Sequence, residues 1–82
     1  MSSILSDFIK LSDLAIGQRA CITGIHAPDG TRQRLQSMGL RTGRQAQVIR
    51  SSRLGPMQIR IGSVDLIMRR SDAACISICT VQ

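Results

Sequence analysis

The side chains with chemistry to offer are few: one histidine (His26), three cysteines (Cys21, Cys75 and Cys79) and five aspartates, with no glutamate. Nucleophilic catalysis needs a base within hydrogen-bond reach of a serine or cysteine, and no such pair here has the spacing of a known motif. No glycine-rich loop ends in Lys-Ser or Lys-Thr, so the chain carries no phosphate cradle for GTP. A chain this short also leaves little room for a closed pocket. No enzyme activity, catalytic residue or cofactor is expected.

Cys75-x-x-x-Cys79 invites a soft-metal reading. In an extended strand the two share a face but lie roughly 13 Å apart, too far for one ion or a disulfide. A site would have to recruit Cys21 or His26 from a neighbouring strand or loop, or bridge two molecules. The expectation is packing thiols, a turn histidine and no metal. Three cysteines at irregular spacing also fit a reducing compartment better than a disulfide framework.

Charge is the larger signal. Ten arginines and one lysine face five aspartates, a net charge of +6. Such a field attracts nucleic acid, anionic lipid or an acidic protein surface without choosing among them. Barrels that read RNA or single strands stack bases on aromatic rings, and this chain has only Phe8. Specific nucleic-acid binding is not expected; backbone binding through the arginines stays open as an alternative. No run approaches the roughly 18 apolar residues of a membrane span. The N-terminus has neither a basic leader nor a long apolar run, so a cytoplasmic location is expected.

Eighty-two residues hold one domain. Residues 1–10 read as an amphipathic extension, with Ile4, Leu5, Phe8, Ile9 and Leu11 at helical spacing over Ser3 to Leu11. Residues 11–82 read as the barrel. A strand from Gln18 to Ile25 leads into turn composition at His26 to Gly30, then a helix over Thr31 to Met38 that Asp29 or Thr31 can cap. Leu35 and Met38 form its apolar stripe. Gly39 stands where a helix ends in a left-handed residue, and Leu40 is placed to fold back in a Schellman cap.

Four further segments alternate: Arg44 to Ser51, Met57 to Ile61, Val64 to Met68 and Cys75 to Val81. Gly62-Ser63 suits a type II′ hairpin turn. The inward set is Ala20, Ile22, Ala46, Val48, Met57, Ile59, Ile61, Val64, Leu66, Met68, Ile76 and Ile78. The fold class that follows is mainly β: a small SH3-like, partly open five-stranded barrel with one short inserted helix and a short N-terminal helix.

Two apolar residues fall out of phase with that inward set. Ile49 and Ile67 point outward if Val48 and Leu66 point in, and with Leu54 they make a small apolar patch ringed by Arg50, Arg53 and Arg69. An apolar centre with an arginine rim suits protein recognition. The alternative is that the N-terminal helix covers it.

Along its length the chain resembles the FeoA family. The residues that carry the resemblance are Leu11-Ser12-Asp13-Leu14, Gly17, Ala20-Cys21-Ile22, Arg34-Leu35-x-x-Met38-Gly39-Leu40-x-x-Gly43, Leu54-Gly55-Pro56, Val64-x-Leu66-x-x-Arg69 and Ala73 to Ile78. Two departures stand out: Gly55 and Pro56 adjoin where the family often inserts an aspartate, and Thr42 replaces a common proline. The resemblance implies a cytoplasmic, non-catalytic accessory protein of ferrous-iron uptake. Its partner would be the cytoplasmic, GTPase-bearing region of a FeoB-type membrane transporter. Arg34 joins the partner-facing set, while Leu35, Met38, Gly39, Leu40, Gly43 and Gly55 are assigned structural roles. The rival readings are a basic nucleic-acid-binding barrel and a peptide-binding SH3-like domain related to those of metal-dependent repressors. Self-association is left open.

Overall fold

A strand that buries one face must alternate, and five segments of this chain do. In the computed structural model, which describes residues 9–80, they form β1 (Arg19–Ile25), β2 (Gln45–Ser51), β3 (Met57–Ile61), β4 (Val64–Met68) and β5 (Ile76–Thr80). Two helices, α1 (Asp29–Ser37) and α2 (Arg70–Ala73), and a 3-10 turn at Leu11–Asp13 complete the element order. All strand pairings are antiparallel, in one open sheet ordered β4-β3-β2-β1-β5. The mainly-β, SH3-like expectation holds.

Ten of the twelve expected inward residues are buried: Ala20, Ile22, Ala46, Val48, Met57, Ile59, Ile61, Met68, Ile76 and Ile78. Leu11, Leu14, Leu35, Leu40 and Ala73 close the core from outside the sheet. The other two are corrections. Val64 is exposed and Leu66 only half-buried, because β4 is an end strand whose burial falls off toward the hairpin turn it shares with β3. That turn has φ +62° at Gly62 and a negative φ at Ser63, the pattern of type II′.

Strict alternation along β2 would aim Arg50 into the core with Val48. A bulge prevents this. Val48 pairs with Ile59, Arg50 with Gln58 and Ser51 with Met57, so Ile49 is the extra residue and Arg50 is turned to the outer face. A second bulge between Ile22 and Gly24 resets β1 against β5.

Helix α1 begins at Asp29, two residues before the expected start, and no side chain caps it. Pro28 occupies the N-cap with φ −57°, and the Asp29 carboxylate accepts a hydrogen bond from Arg32 Nη2 at 2.8 Å instead of from a free backbone N–H. The other end is as expected. Gly39 has φ +102°, Leu40 N–H donates to Leu35 O at 3.1 Å and Gly39 N–H to Gln36 O at 3.0 Å, the two bonds of a Schellman motif. A Cβ on Gly39 would meet only Ile61 Cγ2, at 3.9 Å, so the cost of Gly39→Ala is purely a backbone one. It is expected to destabilise the fold by about 1–2 kcal/mol in urea unfolding; an unchanged midpoint refutes the left-handed cap.

Most of the expected N-terminal helix lies outside the described residues. Of its described part, Ile9 and Lys10 are not helical: Lys10 is extended, with φ −102° and ψ 151°, and bridges Ser77, while Ile9 O accepts from Ile78 N–H at 2.9 Å. The edge of β5 offers this stretch backbone partners that a helix would forgo. Helix α2 was not expected, being four residues without a repeat of apolar positions. The last strand starts at Ile76 and leaves Cys75 in the turn after α2, where its Sγ lies 3.5 Å from Ser71 O.

Candidate docking surface

The register of three strands builds one outward row. Arg50 pairs with Gln58, and Gln58 with Ile67, so an arginine, an amide and an apolar side chain lie side by side across β2, β3 and β4. Ile67 is 63% exposed. Beside the row runs an open groove of about 450 Å³, lined among others by Ile16, Ser51, Pro56 and the buried Met57. A smaller depression of about 210 Å³, around Arg19, Gln45, Ala46, Gln47, Arg60 and Gly62, has no large apolar anchor.

The expected partner-facing residues distribute as follows. Arg50 and Ile67 line the groove. Ile49 is half-buried at the bulge. Arg53 and Leu54 sit exposed in the loop between β2 and β3, Leu54 at 98%, and Arg69 is exposed at the N-cap of α2. Arg34 lies on α1, where its Nη2 is 3.3 Å from Asp72 Oδ1 and ties α1 to α2. Among the described residues, no carboxylate pairs with Arg50, Arg53 or Arg69, which leaves their charge to the surface. The N-terminal segment that would cover the patch falls outside the described residues.

Two residues of the site escaped the sequence reading. Ile16, 61% exposed, belongs to a turn where no apolar period flags it. Arg70 is half-buried and its guanidinium donates to Ser12 O at 2.9 Å, Ser51 Oγ at 2.7 Å and Ser52 O at 2.8 Å. It clamps the 3-10 turn and the end of β2 to α2, and two of its acceptors belong to groove residues. Its partners come from two segments far from it in sequence, so no spacing announces it.

Gln58 is also held in place. Asp65, directly opposite Arg60, accepts from Arg60 Nε at 2.7 Å and Nη2 at 3.1 Å, and from Gln58 Nε2 at 3.0 Å. The hydrogen bond from Arg60 is the main cause that holds the Asp65 carboxyl below its usual range. Because the pair is at the surface it adds little stability; its effect is to orient the amide beside the groove. In the loop between β2 and β3, a Cβ on Gly55 would meet the Ser52 hydroxyl, a side-chain end that can rotate away, and Gly55 has no positive φ.

Fold and surface together define a class: a small SH3-like β domain with an arginine-flanked apolar groove on its outer face. A family model, the FeoA domain, matches residues 9–79. The chain belongs to the FeoA family. The crystal structure of an iron uptake regulatory protein (FeoA) is similar with a TM-score of 0.85 at 29% identity, covering 89% of this chain and 97% of that one. The solution structure of the FeoA protein from Chlorobium tepidum is similar with a TM-score of 0.83 at 35% identity, covering 90% and 71%. The Stenotrophomonas maltophilia FeoA, crystallised with zinc and described as a procaryotic SH3 domain protein, shares the fold with a TM-score of 0.76 at 21% identity, covering 85% and 88%. Comparison with curated proteins finds no match.

Proposed function

We propose that the chain is a non-catalytic, cytoplasmic accessory of ferrous-iron uptake that docks its groove on the cytoplasmic region of a FeoB-type membrane transporter. The observation that carries this reading is the exposed Ile67 on the same groove as Arg50, an apolar anchor across Gln58 from uncompensated positive charge. Family membership supports the iron-uptake setting. The S. maltophilia relative is described as a candidate ferrous-iron transport activating factor, which supports an accessory role. No helix among the described residues is long and apolar enough to cross a membrane, so a membrane-bound partner would be reached from its soluble side. The complementary surface on that partner is acidic with an apolar pocket.

The test mixes labelled protein with the purified cytoplasmic region of the transporter, and separately with generic DNA and RNA, at about 0.15 M salt, where steering by exposed charges is screened beyond roughly 8 Å. Saturable protein binding with salt-erased nucleic-acid binding is expected. Reversing the rim with Arg50→Glu and Arg53→Glu should weaken transporter binding about 3- to 10-fold, chiefly through slower association. Nucleic-acid binding that survives salt while the transporter region stays unbound overturns the reading.

A further inference from the structure

Cys21 on β1 stands directly opposite Cys79 on β5. Their strand neighbours Ala20, Ile22 and Ile78 are buried, so both thiols leave the sheet on its outer face. Cys79 is exposed and Cys21 half-buried. Neither contributes to the docking groove.

The ladder sets how far apart they stand. In the adjoining Ile22–Ile78 pair, Ile22 N–H donates to Arg44 O at 2.9 Å and Ile22 O accepts from Gly43 N–H at 2.8 Å, while Ile78 N–H donates to Ile9 O at 2.9 Å. These groups all face away from the seam between β1 and β5, so that pair is the non-hydrogen-bonded kind. The kinds alternate along an antiparallel ladder, which makes Cys21–Cys79 a hydrogen-bonded pair with Cα atoms about 5.5 Å apart and Cβ atoms at the wide end of roughly 4.5–5.5 Å. A disulfide brings Cβ atoms within about 4.5 Å, so a direct S–S bond requires the strands to close up. A cation bound by two thiolates at about 2.3 Å each separates the sulfurs by up to roughly 4.6 Å, and suits the wider pair.

The kind of cation follows from the donors. Two sulfurs select a soft ion. Among the described residues no three His, Cys, Asp or Glu side chains converge: the lone histidine, His26, has Nε2 held 3.1 Å from Ser77 Oγ, and the Cys75 thiol lies against Ser71 O. A tetrahedral zinc site wants four ligands, whereas a monovalent d10 ion is satisfied by two. A bis-thiolate complex of such an ion carries one negative charge, which a chain of net charge +6 accommodates.

We propose that Cys21 and Cys79 form a two-coordinate site for Cu(I). Binding converts both thiols to thiolates and releases two protons, with no change in oxidation state.

The chain is unusually well suited to the test, since without tryptophan or tyrosine its near-ultraviolet spectrum leaves thiolate-to-copper charge transfer in plain view. The full, reduced chain is titrated without oxygen with Cu(I) supplied as its acetonitrile complex, which is transparent in that range. One equivalent is expected to transfer, with the band lost in Cys21→Ser and in Cys79→Ser and kept in Cys75→Ser. As a check that does not depend on the variants folding, bound Cu(I) in the wild-type chain should protect Cys21 and Cys79, and not Cys75, from alkylation read by peptide mapping. Full binding in either of the first two variants, loss in Cys75→Ser, or equal protection of all three thiols overturns the site.

Discussion

Arg70→Ala is expected to lower the thermal midpoint by roughly 10–20 °C. The guanidinium makes three hydrogen bonds to acceptors on two segments distant in sequence, and its Nε is buried without a partner, a cost that those bonds must offset. Charge-assisted bonds contribute about 1.5–3 kcal/mol each before that offset. With the side chain only half-buried, a net loss of about 2–3 kcal/mol is expected, and each kcal/mol moves the midpoint of a domain this size by roughly 4–8 °C. Arg70→Lys should restore little, because an ammonium group lacks the planar fork that reaches three acceptors in two directions. A lysine variant as stable as the wild type would show that charge, and not the fork, holds the 3-10 turn against β2.

Ile67→Asp is expected to weaken binding to the transporter's cytoplasmic region at least about 30-fold, with the thermal midpoint nearly unchanged. An apolar anchor at the centre of an interface costs upwards of about 2 kcal/mol when lost, and every 1.4 kcal/mol is about tenfold in affinity. Stability should survive because the side chain is 63% exposed on an end strand, where a carboxylate stays hydrated. Leu54→Asp is the internal comparison. Leu54 is more exposed, at 98%, but lies outside the groove lining, so its loss should matter less. The opposite ranking would move the docking site from the β2–β3–β4 row to the loop.

How much of this was legible beforehand varies by residue. Leu35, Met38, Gly39 and Leu40 spell their helix end in four consecutive decisions, each local, and the Schellman bonds form as read. Gly62-Ser63 is as direct. Arg50 is different: the sequence reading set it on the rim of the patch although strict alternation would send it inward with Val48, and the bulge opposite Ile59 and Gln58 is what turns it out to join Ile67. The helix start is a third kind of case, where Pro28 overrode the side chains expected to cap.

From its sequence alone this protein is small, strongly basic and mainly β, with a glycine-ended helix, because alternation, turn chemistry and net charge are properties of neighbouring residues; its resemblance to FeoA proteins rests instead on the motifs strung in order from Leu11 to Ile78. The tertiary structure alone decided that Ile16 joins Ile67, that Arg70 stitches three segments together, that Val64 stays exposed and that Cys21 faces Cys79. Those outcomes depend on which strands become neighbours and where the ladder slips by one residue. Both are settled by the closing of the whole sheet on its core, to which every strand contributes and which no single segment encodes.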